Sequence, residues 1–391
     1  MLPGFEQERK VHGIFARSLL AAGCVAALAF ASNTAVIAQT TQEVSRPQTP
    51  HAPFPYLVEE VRFPGGANGV ILAGTLTRPK VSNPVGAVVL VHGSGPVDRD
   101  ETYNGHKSFF VLADALTRAG YAVLRYDKRG VGQSTGDGRA ATTLDLKADA
   151  YAAIRYLQGR SEIDGSRIAV VGHSEGGTIA ALMSADPSPP AAAVSLAGMI
   201  APFTEQMPLQ EVLTGRDEGA DATYEAVVRA YYVKVEAAAT IDDDALRLAQ
   251  MQALSTAWNA EFPEGSPNRN AAMDSLLAHP KFIASRWFQT MFRLDVADAI
   301  RRGTIPILFL NGSTDHQVVA APNLDAAQRA LGRETTLRRT QLLPNLNHLF
   351  QESASGSSEE YDKISQTMSP DAMRAVIQFL DLALNSARKD R

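Results

Sequence analysis

The 391-residue chain has a single cysteine, Cys24, and only two tryptophans. One thiol close to the N-terminus cannot build a disulfide framework, and it cannot hold a metal in a cysteine cluster. Internal repeats, low-complexity tracts and runs of like charge are also missing. There is no basic excess: 37 Lys and Arg stand against 42 Asp and Glu, a formal net charge of −5. A nucleic-acid surface needs a basic stripe, so neither DNA nor RNA is an expected partner. What remains, 45% apolar and 20% charged residues, is the composition of a globular protein long enough to bury a large core.

The N-terminus carries one uncharged apolar run. Arg9, Lys10, His12 and Arg17 precede Ser18 to Phe30, and Val36-Ile37-Ala38 then places small residues at the −3 and −1 positions of a cleavage site. That order predicts a signal peptide over residues 1–38 and an exported protein, periplasmic or secreted. An uncleaved anchor is the alternative, but the run softens into Ser32-Asn33-Thr34 and no basic stop signal follows. Cleavage would remove Cys24 and leave no stable membrane insertion. Residues 39–55, rich in Thr, Gln and Pro, read as a flexible linker.

Beyond it, Tyr56–Phe63 and Val70–Thr77 read as a strand pair joined by a glycine-rich turn. Further strands are predicted at Ala87–Val91, Ala122–Tyr126, Arg167–Val171, Ala192–Leu196, Ile305–Asn311 and Thr336–Leu343. Helical stretches at Ser108–Ala119, Thr143–Gln158, Gly176–Ser184, Ala320–Leu331 and Asp371–Ala387 alternate with them. Short continuous Val/Ile/Leu runs suit strands buried on both faces, and helical crossovers suit parallel neighbours. The fold class is therefore α/β, a mostly parallel central sheet flanked by helices. Residues 199–300 break the alternation: they are Ala-rich, lack a strand pattern and read as a helical cap inserted between core segments 56–198 and 301–391.

Two stretches fit G-x-S-x-G, Gly132–Gly136 around Ser134 and Gly172–Gly176 around Ser174. A chance match in a chain this long has a probability on the order of 0.1, so context must choose. Arg167–Val171 runs into Gly172, and an apolar helix leaves from Gly177. Strand, sharp turn and helix together form a nucleophile elbow, which assigns Ser174 as the nucleophile and Ser134 to a loop. A serine hydroxyl needs a base to remove its proton. His348, on a loop late in the chain, is the candidate base, and Asp315, in the turn Gly312-Ser313-Thr314-Asp315, is the candidate orienter. Each follows a predicted strand, so all three converge on one sheet edge. His316 is a competing base, with awkward geometry beside Asp315, and His173 reads as packing support within the elbow.

Acyl transfer also needs oxyanion donors. These are assigned to the backbone N–H groups of Glu175, directly after the nucleophile, and Ser94, in His92-Gly93-Ser94-Gly95-Pro96. Asp127–Gly132 resembles a dinucleotide loop only partly, since Thr135 stands where the last glycine belongs and no helix opens there. No cofactor and no metal are expected.

Four motifs in order, Leu72–Pro79, His92–Asp100, Asp127–Ser134 and Gly172–Gly176, resemble the bacterial EstD-type serine carboxylesterases of the α/β-hydrolase superfamily. The resemblance implies the α/β-hydrolase fold, a helical cap over the pocket and cofactor-independent hydrolysis of short acyl esters, so the expected partner is a small-molecule ester. It also points to Trp287 and Phe288, in Ser285-Arg286-Trp287-Phe288, as shaping an acyl pocket, with packing of the cap as the alternative. A serine aminopeptidase or thioesterase could use the same triad, and a non-catalytic binding protein could keep the same scaffold. A homo-oligomer stays open.

Overall fold

The structure is a computed structural model that describes residues 45–386. The expected signal peptide and Cys24 lie outside the described residues.

Eight strands form one sheet. In chain order they are β1 (Leu57–Pro64), β2 (Ile71–Arg78), β3 (Val85–Val91), β4 (Ala122–Tyr126), β5 (Ile163–His173), β6 (Ala192–Leu196), β7 (Ile307–Gly312) and β8 (Arg338–Leu343), and their order across the sheet is β1-β2-β4-β3-β5-β6-β7-β8. Strands β4 to β8 run parallel with β3, whereas β2 is antiparallel to both β1 and β4. Sequence dictates these roles. β3, Val-Gly-Ala-Val-Val-Leu-Val, is buried over six successive residues because helices cover both faces. β1 alternates buried Val61 and Phe63 with exposed neighbours, as suits an edge with one wet face.

The helices before the cap are α1 (Ser108–Arg118), α2 (Thr143–Gln158) and α3 (Glu175–Met183). α2 starts at Thr142 through a capping box with Asp145. The cap is built from α4 (Phe203–Asp217), α5 (Ala222–Ala239), α6 (Asp244–Glu261), α7 (Arg269–Asp274), α8 (Pro280–Ile283) and α9 (Arg286–Arg293). Then follow α10 (Val296–Arg302), α11 (Ala320–Leu331) and α12 (Pro370–Ser386). One core lies between the sheet and α2, α3, α10 and α11; a second lies between the other face and α1 and α12. Alternate β3 residues feed the two, Ala87, Val89 and Val91 the first and Val88 and Leu90 the second.

The cap holds its own core around Trp258, Tyr224, Phe203 and Phe288. Its expected end at residue 300 needs adjusting, because Val296, Ala299 and Ile300 of α10 pack beneath the sheet with α3 and α11. The described part of the expected linker, residues 45–55, also differs from expectation. Arg46 donates to the Ile364, Asp362 and Asn104 carbonyls, and Gln48 Nε2 to that of Met368 at 2.7 Å. Phe54 stacks on Tyr56, with ring centroids 5.3 Å apart. Composition predicts a tether, but Arg46 and Gln48 find partners more than 300 residues away in sequence, which no local pattern reveals.

Parallel register brings the functional loops to one level. Val91 pairs with Gly172, His173 with Leu196, Leu196 with Leu310 and Leu343 with Gly312. The turns after β3, β5, β7 and β8 therefore leave the same edge.

Candidate active site

Ser174 stands between β5 and α3 with φ 53° and ψ −118°, a conformation that L residues avoid and that functional turns hold under strain. The elbow exists because Gly172 and Gly176, two residues away on either side, have no side chains. A Cβ on Gly172 would sit 1.9 Å from the Gly176 carbonyl oxygen, and one on Gly176 would sit 1.9 Å from that of Val91. The first-turn N–H groups of α3, that of Glu175 among them, have no acceptor within the helix, and they lie at its positive end.

Asp315 and His348 meet. Asp315 Oδ2 lies 2.8 Å from His348 Nδ1, while Oδ1 accepts from the N–H groups of Gln317 and Val318 at 2.8 and 2.9 Å. The carboxylate thus closes its own turn and holds the ring at once. Because it accepts, Nδ1 carries the proton and Nε2 of a neutral ring keeps its lone pair. Both side chains are buried. The loops that carry them are laced together: Ser313 N–H donates to the Leu343 carbonyl and Thr314 N–H to that of Leu346.

His173, the residue before Ser174, sits against His348, the candidate base. Its ring centroid is 4.7 Å from that of His348, and its Nε2 donates to the His348 carbonyl at 2.9 Å. Its Nδ1 lies 3.1 Å from Glu101 Oε1. Both partners are acceptors, an arrangement that favours a ring protonated on both nitrogens. Burial works against that charge, but the Glu101 carboxylate outweighs it and raises the His173 pKa above its ordinary value. Burial likewise opposes the Glu101 charge, yet His173 and the Gly93 N–H hold the carboxyl below its usual range.

Gly93 N–H donates to Glu101 Oε1 at 2.9 Å, which leaves the half-buried Ser94 as the next amide of that loop. Lys128 Nζ donates to the Gly93 carbonyl at 2.7 Å and lies 3.3 Å from Glu175 Oε2. Glu175 Oε1 accepts from Thr143 Oγ1 at 2.8 Å and from Trp287 Nε1 at 2.6 Å. Glu101 and Thr143 lie outside the four motifs read from the sequence, and Lys128 lies inside Asp127–Ser134 without a role of its own there.

Trp287 therefore reaches from the cap to Glu175, the residue after the candidate nucleophile. Phe288 does not join it, and its assignment to an acyl pocket is corrected: it is 0% exposed, packed in the cap core against Phe203, Phe282 and Phe292. Successive residues of α9 point about 100° apart, so one faces the sheet and the other the cap interior. His316 turns away from Asp315, its Nδ1 lying 3.1 Å from Asp217 Oδ2 of α4. Ser134 is buried, donating to the Asp127 carbonyl at 2.7 Å and accepting from Ala73 N–H at 2.9 Å, which makes it part of a loop scaffold. Among the described residues no group of three or more His, Cys, Asp or Glu is placed to hold a metal ion.

A mostly parallel sheet of this order, with a serine elbow after β5 and an Asp–His pair on the loops after β7 and β8, defines an α/β hydrolase. The chain belongs to that family: residues 88–357 match the alpha/beta hydrolase family profile. It is 29% identical over 282 residues to esterase EstD of Thermotoga maritima, an alignment covering 71% of this chain and 58% of EstD. The match thus spans less than two thirds of that relative. An uncharacterized protein of Mycobacterium tuberculosis is 36% identical over 126 residues, 32% of this chain and 40% of its own. The crystal structure of the alpha/beta hydrolase GrgF from Penicillium sp. sh18 superposes with a TM-score of 0.52 at 14% identity, over 84% of this chain and 99% of that one. DcsB, solved with its substrate analogue, gives 0.52 at 16% identity, over 83% and 99%. These two likenesses bear on the fold.

Proposed function

We propose that the protein is a serine hydrolase of the carboxylesterase type, cleaving carboxylic esters with short acyl chains through an acyl-enzyme intermediate. One observation carries the reading: the His348–Asp315 pair, 2.8 Å apart, lies on the sheet edge where Ser174 occupies the strained elbow. In this reading Ser174 Oγ attacks the ester carbonyl, and His348 Nε2 takes its proton and returns it to the leaving alcohol. Asp315 keeps the proton on Nδ1 and stabilises the imidazolium, while the Ser94 and Glu175 amides hold the oxyanion. Water activated by His348 then releases the acid. The likeness to EstD, named an esterase, supports the ester bond, and Trp287 above Glu175 supports a confined pocket. Export belongs to the same reading, with residues 1–38 removed before Gln39.

The test is Ser174→Ala, assayed on p-nitrophenyl acetate and butyrate beside aminoacyl anilides and acyl-CoA. Turnover of the esters by the wild type and its loss in the variant are expected. Full ester turnover by the variant would refute the reading, and preference for anilides or acyl-CoA would move it to the aminopeptidase or thioesterase alternative. A fluorophosphonate probe should label the wild type, whereas a binding module would stay unlabelled.

A further inference from the structure

We infer that Lys128 is a positioning residue for the oxyanion hole, fixing the Gly93–Ser94 peptide from a buried ion pair with Glu175; this rests on the serine-hydrolase reading.

The peptide group supplies the argument. Among the described residues the only cis bond is Ala52–Pro53, so the Gly93–Ser94 peptide is trans and planar. In a trans peptide the carbonyl oxygen and the next N–H point in opposite directions. Lys128 Nζ holds the Gly93 oxygen at 2.7 Å, and Glu101 holds the Gly93 N–H at 2.9 Å. With both groups of Gly93 engaged, rotation about the flanking bonds is suppressed. The Ser94 N–H must then face away from Lys128.

The same ammonium is tied to the second donor. Glu175 contributes its backbone N–H to the elbow and its carboxylate to Lys128, so one side-chain contact links the two segments that carry the donors. The pair is dry, with side-chain exposures of 7% for Lys128 and 1% for Glu175. Thr143 and the cap residue Trp287 occupy the other carboxylate oxygen. Burying an ion pair costs desolvation that its attraction often fails to recover, so stability alone is a weak reason for one here. Preorganised donors that need no rearrangement during reaction are a stronger reason.

The experiment compares Lys128→Met, Lys128→Arg and the double variant Lys128→Met/Glu175→Gln with wild type. It reads kcat and KM on p-nitrophenyl butyrate, affinity for a boronic-acid transition-state analogue, and melting. Expected is a kcat lower by roughly 10²–10³-fold in Lys128→Met, with KM within a few-fold and analogue affinity falling in parallel with kcat. Lys128→Arg should recover part of the loss, since a guanidinium can reach the same oxygen. The double variant removes both charges while the introduced amide oxygen can still accept from Thr143 and Trp287, and it should stay slow. Recovery of wild-type kcat in the double variant would mean that Lys128 merely balances charge, and would overturn the inference. So would an unchanged kcat in folded Lys128→Met, or failure of both variants to fold. Ser174→Ala in the same assay separates the two claims: if it is inert and Lys128→Met is normal, only the positioning role falls.

Discussion

His173 Nε2 donates to the main-chain carbonyl of His348 at 2.9 Å, so the residue before the candidate nucleophile holds the loop of the candidate base. The contact spans 175 residues, and Glu101, 3.1 Å from the other ring nitrogen, favours the charged form of the ring that makes it. Gly93 N–H binds the same carboxylate oxygen. A single buried carboxylate therefore ties the loop after β3 to the end of β5 and, through the His173 ring, to the loop after β8.

This pair gives stability a defined pH window. The raised His173 pKa contributes stability fully below the ordinary imidazole value of 6.5, and loses it as pH rises through the folded value. The lowered Glu101 pKa contributes above the ordinary 4.5 and loses it as pH falls through the folded value. Both contributions are complete between these limits. His173→Ala should cost roughly 3–5 kcal/mol at pH 6, because it leaves a buried carboxylate without its cation. Glu101→Gln should flatten the decline in melting temperature above pH 6.5. Scanning calorimetry across pH 5–9 checks both, and a wild-type decline retained in Glu101→Gln would contradict the assignment.

Asp315→Asn should separate orientation from folding. Asparagine can still accept from Gln317 and Val318 through its oxygen, but its amide nitrogen then faces His348 Nδ1 as a donor. The ring must place its proton on Nε2, where the base should act. Loss of about 10⁴-fold in kcat is expected, by analogy with the effect of the same change in serine proteases. Melting should change little. Steady-state kinetics beside thermal melts decide it, and a variant within tenfold of wild type would count against Asp315 as orienter.

Glu211 in α4 makes the cap sensitive to pH. Burial pushes its carboxyl up to about 7, although Ser275, Leu276 and Tyr232 donate toward it. Below the ordinary value of 4.5 both folded and unfolded chains hold the proton, and the group costs nothing. Between there and about 7 the unfolded chain ionises first, so stability falls as pH rises, and above 7 the full penalty stands. Glu211→Gln should therefore match wild type at pH 4.5 and exceed it at pH 8 by on the order of 3 kcal/mol. Denaturant titrations at the two pH values test the sign. Equal stability at pH 8 would show that Glu211 ionises in the cap without cost.

The sheet and the elbow were legible in the chain because their causes are local. β3 announces itself as an unbroken run of small and branched apolar residues, and Gly172-His173-Ser174-Glu175-Gly176 sits between a strand and a helix pattern. The placement of Asp315 and His348 followed from position alone, each just past a strand end. Helical periodicity did not separate Trp287 from Phe288, since neighbours in a helix diverge in directions that only the packed cap distinguishes. Nor did it reveal Glu101 or Lys128, whose partners come from other loops.

Sequence by itself determined the layering, the nucleophile candidate and the order Ser174, Asp315, His348, because hydrophobic runs, glycine spacing and strand ends act over a few residues. Only the tertiary structure decided which buried charges meet, Glu101 with His173 and Lys128 with Glu175, and which cap side chain reaches the elbow. The reason is that burial sets both the cost of a charge and its need for a partner, and burial becomes defined only when distant segments share one interior.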